Sequence, residues 1–572
     1  MNSIRARIRL LSVCVLIFAS MLLVKLYSVQ IINAGEFAER ADRQYQRPAN
    51  AFNRGTVYFS DRENNIISAA TLKTGFILTI NPKTLQANKS IDTTYNKLIQ
   101  VIPASQLNYD DYYARASKPN DSYEEIMKQV DEEVGTKVSE LKIPGVTLFK
   151  DKWRYYPGGN LAAHVLGFMA FKEDELAGRY GIERFYETTL KRENDNVYVN
   201  FFAELFSNIK STVSSGGQLE GDVITTIEPR TQAYLENVLS DISRQYASER
   251  TGGVIMNPKT GDVMAMAMNP TFDPNNFKSE SSVTVFRNDI VESVYEMGSI
   301  IKPLTLAVGV DLGKVNASTT YNDTGSLTYD GRTISNFDKK GRGTVTLQYA
   351  LSKSLNTGFA FIVDKVGTKA IGDYFTKFGF GQKTGIDLPN EGTGLISNLK
   401  SPRQIEYVTA SFGQGIAMTP IEVVRAFSAI ANKGEMVTPR VAKRIQYRSV
   451  PVGKDQGFGP KERVIKESTA RHISDMMVYN VDNSLLDGKA KNPRYSIAAK
   501  TGTAQIAENG KYADNRYLHS FVGFLPASDP QFLVFLFTVN PRGVSYASET
   551  LAKPYMDMTK FLINYYQVPP DR

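Results

Sequence analysis

The sequence has one cysteine and three histidines among 572 residues. The single cysteine, Cys14, excludes a disulfide framework within one chain and any Cys-x-x-Cys zinc or redox motif. The histidines, His164, His472 and His519, lie far apart and outside any His-Glu-x-x-His pattern, so the spacing a histidine zinc site needs is missing. His164 and His519 read as packing or hydrogen-bonding residues. If the chain is an enzyme, its acid–base group comes from lysine, carboxylate or tyrosine. A strong charge bias is also missing. Lys+Arg number 67 against Asp+Glu 59, a net +8, and the densest short basic cluster, Asp338-Lys339-Lys340-Gly341-Arg342, reads as a turn. A nucleic-acid binder concentrates its excess charge on one face, so no nucleic-acid partner is expected. With 42% hydrophobic and 22% charged residues, the composition is that of a folded globular chain and excludes wholesale disorder.

One long uncharged apolar run exists, from Leu10 to Val24. It is shorter than the roughly 20 residues of a membrane span. Lys25 can snorkel to the interface, which extends the span to about Val29. Arg5, Arg7 and Arg9 precede it and favour a cytoplasmic N-terminus. The reading is a tail over 1–9, a single-pass anchor over 10–30 and everything later outside. No Ala-x-Ala-type site follows, which favours an uncleaved anchor over a signal peptide.

Residues 34–216 read as one irregular region. RGTVYFSDRENNIISA (54–69) predicts two strands around a polar turn, with Asn64-Asn65 supplying positive φ. Residues 121–142 read as a helix, from a capping-box spacing of Ser122 and Glu125 and from Ile126, Val130, Val134 and Val138 at every fourth position. The segment 191–213, with its apolar VNFFAELF core, reads as a helix of this region, with a partner surface as the alternative. A Ser/Gly-rich ending near 217 marks a boundary. From Gly221 a strand and a helix follow, then two strands around a Pro-Lys-Thr-Gly turn. A helix-rich middle covers about 299–434, and strands return at 495–507, 519–527 and 532–540. That order predicts a sheet whose first and last strands pair across a helical insertion.

Serine followed by lysine three residues on places both side chains on one helical face, where a neutral amine can take the hydroxyl proton. Such tetrads begin at Ser139, Ser207, Ser299 and Ser397. Ser299 has the best setting: it opens SIIKPLTLAVGVDLGK, and Pro303 is tolerated only in a first turn, which puts the helix start near Ser299. Free N–H groups and the positive dipole end there suit a developing oxyanion. Ser207 is the only rival in a helical setting. Lys-Thr-Gly occurs at Lys73, Lys259, Lys383 and Lys500, and only Lys500 ends an apolar strand and continues in an extended pattern. A strand edge there would present Thr501, Thr503 and free backbone donors to an extended peptide. Ser-x-Asn occurs once, at Ser354-Leu355-Asn356.

The order Ser299–Lys302, Ser354–Asn356, Lys500–Thr501–Gly502 is the signature set of penicillin-recognising serine acyltransferases. The chain resembles a class B penicillin-binding protein, a monofunctional peptidoglycan D,D-transpeptidase of division or elongation type. RGTVYFSDR, RYYPGGNLAAHVLGF, YGIERFYETTL, YEMGSIIKP, ASFGQGIAMTPIEVVRAFSAIANKG and SFVGFLPA follow in the family's order. The resemblance implies an α+β fold. It comprises a penicillin-binding/β-lactamase-like domain over 221–568, with a central antiparallel sheet and a helical insertion, behind a dimerisation-type pedestal over 34–216 and one transmembrane helix.

It also implies roles. Ser299 is the nucleophile and Lys302 its base. Lys500 and Ser354 relay a proton to the leaving amine. Asn356 bonds Lys302 and the substrate amide, and the Lys500–Thr501–Gly502–Thr503 stretch binds substrate, with Thr501 and Thr503 on its carboxylate. The N–H groups of Ser299 and Thr503 form the oxyanion hole. No cofactor and no metal are implied. The implied partners are peptidoglycan stem peptides on a lipid-linked precursor polymer, β-lactams as covalent inhibitors, a membrane-embedded glycosyltransferase and divisome or elongasome proteins. A D,D-carboxypeptidase and a non-catalytic assembly or sensor protein are the alternatives. Ser354-Leu355-Asn356 leans towards septal enzymes.

Overall fold

Two apolar runs flanking Asp-Arg-Glu-Asn-Asn set the first strand pair. The computed structural model describes Phe18, Ser20, Met21 and residues 53–173, 175–192, 220–447, 454–457, 459–508 and 511–572. Nearly all of the expected anchor over 10–30 and most of the 191–213 segment lie outside these residues. No helix among the described residues is long and apolar enough to cross a membrane. Strands β1 (Val57–Ser60) and β2 (Ile66–Ile80) pair antiparallel, Val57 opposite Ala70, around a turn in which Asn64 has φ +66°. That matches the expected hairpin.

The described chain falls into two compact units, one holding 73–153 and the other 54–72, 154–192 and 220–572. In the smaller unit, residues 121–142 depart from the expected single helix. Glu124–Asp131 is a strand, β3, and only Glu132–Glu140 is helical, α1. A four-residue spacing also satisfies a strand, because i and i+4 share a face at period two. Pairing with β2, with Phe76 opposite Val130, decides it. Strand β4 (Val146–Tyr155) pairs with β2, and Leu78, Ile80, Leu98, Tyr112, Val130 and Val138 form this unit's core.

The larger unit continues with β5 (Gly221–Thr225), α2 (Pro229–Tyr246), β6 (Arg250–Met256) and β7 (Val263–Asn269). Helix α3 (Lys302–Asp311) is followed by four short strands, β8 (Thr320–Asp323), β9 (Ser326–Tyr329), β10 (Arg332–Ser335) and β11 (Gly343–Thr346), inside the stretch read as helix-rich. Then come α4 (Asn356–Val366), α5 (Pro420–Ala431), β12 (Ala442–Tyr447), β13 (Ala498–Glu508), β14 (Lys511–Leu525), β15 (Phe532–Val539) and α6 (Ala547–Tyr566).

A five-stranded antiparallel sheet runs β13-β14-β15-β6-β7, so β6 does pair with late strand β15, Leu533 opposite Met256. Strand β5 is not part of it: it lies parallel to β1, Val57 opposite Val223, and antiparallel to β12. Both faces of the central sheet are covered, which is why β15 reads as an unbroken apolar run. Val534 and Leu536 pack with Leu235 and Leu239 of α2 and Leu551 and Tyr555 of α6. Phe535 and Phe537 face the other core, with Ile300, Leu304, Val423 and Phe427. The alternation follows from the period-two pleat. Helix α5 is fixed at its start by a capping box between Thr419 and Glu422.

Three of the sequence motifs converge on one buried carboxylate. Glu183 is fully buried and bonds Arg54 Nε at 2.6 Å, Arg154 Nε at 2.5 Å and Tyr156 OH at 3.2 Å, while Arg54 also reaches Glu187 at 2.8 Å. Burial pushes the Glu183 carboxyl up, but Arg154 and Arg54 outweigh it and hold the group below the usual range. Its contribution is therefore complete above the ordinary glutamate pKa and is lost as pH falls through the depressed one. Glu183→Ala leaves buried Arg154 without its carboxylate and Arg54 with Glu187 alone, and is expected to cost about 3–5 kcal/mol. Urea unfolding of the variant checks this, and a loss below about 1 kcal/mol, the range of an exposed pair, refutes it.

Candidate active site

Ser299 sits in a single 3₁₀ turn, Gly298–Ile301, that runs directly into α3. The regular helix thus begins at Lys302 rather than at Ser299, with Pro303 in the first turn where its missing N–H costs nothing. Gly298 has φ +61°, and a Cβ there would lie 2.6 Å from Thr503 O. Gly502 meets the turn from the other side: a Cβ would stand 2.6 Å from Met297 O and 2.5 Å from Ser520 Oγ. Two glycines therefore let strand β13 approach the backbone that carries the serine. Ser520 Oγ, on β14, donates to Met297 O at 2.9 Å and ties that backbone to the sheet.

Lys302 is fully buried, and its Nζ meets Ser354 O at 2.6 Å, Asn356 Oδ1 at 2.8 Å and Ser354 Oγ at 3.1 Å. Two of these partners are carbonyl oxygens that only accept. A neutral amine spends its two N–H groups on them and keeps its lone pair available to accept a hydroxyl proton. The Phe359 ring, 5.3 Å away, walls the amine. Burial first, and the neighbouring Lys500 charge second, hold the Lys302 amine well below the usual lysine range. Both effects disfavour its protonated form.

Ser354 and Asn356 lie in the turn that opens α4. Ser354 has φ +56°, a left-handed conformation that costs of order 1–3 kcal/mol in a residue with a side chain. The Asn356 amide is oriented by Ser335 O, which accepts from Nδ2 at 2.8 Å and so leaves Oδ1 for Lys302. Lys500, 3% exposed at the start of β13, donates to Thr501 O at 2.8 Å and to the same Ser354 Oγ at 3.3 Å. Burial lowers its pKa to about 7. Strand β13 is an edge of the central sheet, with β14 as its one neighbour there. An edge strand is where an extended peptide can add by backbone pairing. Thr501 and Thr503 are half-buried on it, Gly502 is buried, and Thr503 Oγ1 accepts from Ala547 N at 3.1 Å.

The first, second and third motifs are thus brought together around one hydroxyl. Two other copies stand elsewhere: Lys259 follows β6 in a turn, and Ser397 opens a short 3₁₀ turn. Ser207 lies outside the described residues. His164 and His519 are buried, bonded to Val285 O at 2.8 Å and Thr550 Oγ1 at 2.9 Å, and burial lowers both to about 4, which fits packing roles. Among the described residues no group of three His, Cys, Asp or Glu could hold a metal. Sequence reasoning missed Ser335, Phe359 and Ser520. A backbone carbonyl has no side-chain signature, and a phenylalanine three positions past Asn356 reads as core.

The description "Penicillin binding protein transpeptidase domain" matches residues 251–557, and "Penicillin-binding Protein dimerisation domain" matches residues 50–226. Stage V sporulation protein D of Bacillus subtilis is 33% identical over 433 residues, which are 75% of this chain and 66% of that protein, so the chain spans just under two thirds of this relative. Peptidoglycan D,D-transpeptidase MrdA of Acinetobacter baumannii is 29% identical over 608 residues, 96% of this chain and 86% of that protein. Penicillin Binding Protein 2X from Streptococcus thermophilus shares the fold, with a TM-score of 0.72 at 19% identity over 90% of this chain and 79% of that one. A transpeptidase domain over more than half of the chain, a dimerisation domain before it and a paired-lysine site on a sheet edge lead to one assignment: this chain belongs to the class B penicillin-binding proteins.

Proposed function

We propose that this chain, a peptidoglycan D,D-transpeptidase that binds penicillin, works in septal wall synthesis, held at the cytoplasmic membrane by residues 10–30 with its catalytic domain outside. One observation carries the chemistry: two buried lysines share the Ser354 hydroxyl, one of them a helical turn from Ser299. Ser299 Oγ attacks the carbonyl between the two terminal D-alanines of a stem peptide, and Lys302 takes its proton. The C–N bond breaks, an ester forms on Ser299, and the departing D-alanine amine receives a proton through Ser354 and Lys500. An amine of a neighbouring stem then attacks the ester, forms the crosslink and restores the serine hydroxyl. The N–H groups of Ser299 and Thr503 stabilise the oxyanion, and Thr501 and Thr503 hold the terminal carboxylate.

The anchor rests on the uncharged run Leu10–Val24 behind Arg5, Arg7 and Arg9. Residues 34–216 serve as pedestal and 221–568 as catalytic domain. Glycan strands come from a partner glycosyltransferase in the same membrane, within the division machinery. The septal reading rests on Ser354-Leu355-Asn356 as the middle motif. Imaging a fluorescent fusion tests it: bands at midcell support it, and lateral patches replace it with an elongation role.

Ser299→Ala is expected to abolish covalent labelling by a fluorescent penicillin on a denaturing gel. Labelling that survives this change and disappears with Ser207→Ala would overturn the site. The pH dependence has a definite sign. Acylation rises with pH as Lys302 loses its proton, well below the usual lysine pKa, and falls as Lys500 loses its own near pH 7. Lys500→Ala removes a cation that lowers Lys302, so the ascending limb should move to higher pH. Stopped-flow acylation across pH reads this out, and an unmoved or acid-shifted limb rules out the coupling.

A further inference from the structure

The stretch from Tyr321 to Arg342 supplies no side chain to Lys302, yet it holds a buried carboxylate that the mechanism leaves unused. Asp323, at the end of β8, is 2% exposed. Its Oδ1 accepts from Gly325 N at 3.0 Å, Asn336 Nδ2 at 2.9 Å and Thr357 Oγ1 at 2.8 Å. Its Oδ2 is buried without a hydrogen bond, and Arg342 Nη1 lies 3.7 Å away. Asn336 Oδ1 in turn accepts from Thr357 N at 3.3 Å, and the Thr357 hydroxyl also meets Tyr321 OH at 3.2 Å.

Two of these partners are sequence neighbours of the catalytic frame. Thr357 follows Asn356. Asn336 follows Ser335, whose carbonyl accepts from Asn356 Nδ2. That bond matters because an asparagine amide has two nearly isosteric ends. Reversed, it would set Nδ2 against the N–H groups of Lys302 and Oδ1 against Ser335 O, two repulsive contacts in a dry site.

We propose that Asp323 is a positioning residue for acylation, which gathers Asn336 and Thr357 so that Ser335 O holds the Asn356 amide with its oxygen towards Lys302. The inference rests on the acylation chemistry proposed above. Asp323 touches neither substrate nor Lys302 and acts through Asn336, Thr357 and Asn356. An asparagine at 323 still offers one oxygen to the three donors, whereas an alanine offers none.

The test measures the second-order rate of acylation of the full-length protein by a fluorescent penicillin. Asp323→Ala is expected to slow it roughly 10- to 100-fold, the scale of an ångström-level misplacement. Asp323→Asn should restore most of the rate. Thr357→Val, which keeps the shape and removes the hydroxyl, should act in the same direction and serves where Asp323→Ala fails to fold. In an Asn356→Ala background neither change should slow acylation further, since the group they orient is gone. A merely structural role would give the same loss in both backgrounds, and that result overturns the proposal. So does a wild-type rate in Thr357→Val. Wild-type protein that no penicillin acylates would instead overturn the proposed function, and this inference with it.

Discussion

The candidate site is built around one ammonium group that its surroundings disfavour. Lys302 is sealed from water among Ser354, Asn356 and Phe359, with a second lysine beside the hydroxyl it shares. Burial and a nearby cation push its pKa the same way, down from the usual lysine range. The acceptors are fixed by backbone or by an oriented amide, which leaves the lone pair as the only direction not already taken. A cluster built on lysines leaves the histidines free for other work, and two of the three are buried in packing positions.

Holding that arrangement requires three segments from distant parts of the chain to meet within hydrogen-bond range. The turn at Ser299 packs on β13 through Gly298 and Gly502, where any side chain would collide with backbone. The turn at Ser354 accepts a left-handed residue to aim both its carbonyl and its hydroxyl at Lys302. Stability is supplied elsewhere, by the doubly covered sheet and the buried Arg54–Glu183–Arg154 cluster.

Much of the site was legible because its parts are short and contiguous. Ser299 and Lys302 share a helical face by spacing alone, and the apolar run before Lys500 announces a strand. The closing of a sheet across a helical stretch followed from the order of strands, although the last strand pairs with β6 and not with the first strand, β5. What escaped was whatever depends on a partner. Residues 124–131 carry a spacing that suits helix and strand equally, and only β2 across the ladder decides between them. The strand at Gly221–Thr225 is plain in the sequence, but nothing in its residues says that it pairs with β1 rather than with the central sheet. Ser335 acts through its carbonyl, an atom every residue possesses.

The pairing of β15 with β6 also governs the order of folding events. Leu533 lies opposite Met256, so the central sheet cannot close until the final strands have left the ribosome and reached the first ones. Closing so long a loop is slow, as in other folds dominated by distant contacts. Until then β6 and β7 present an unpaired apolar edge of the sort that invites aggregation. Lys500 arrives on the same late segment as β13. A nascent or truncated chain can therefore carry Ser299, Lys302 and Ser354 and still lack the strand that brings Lys500 to them.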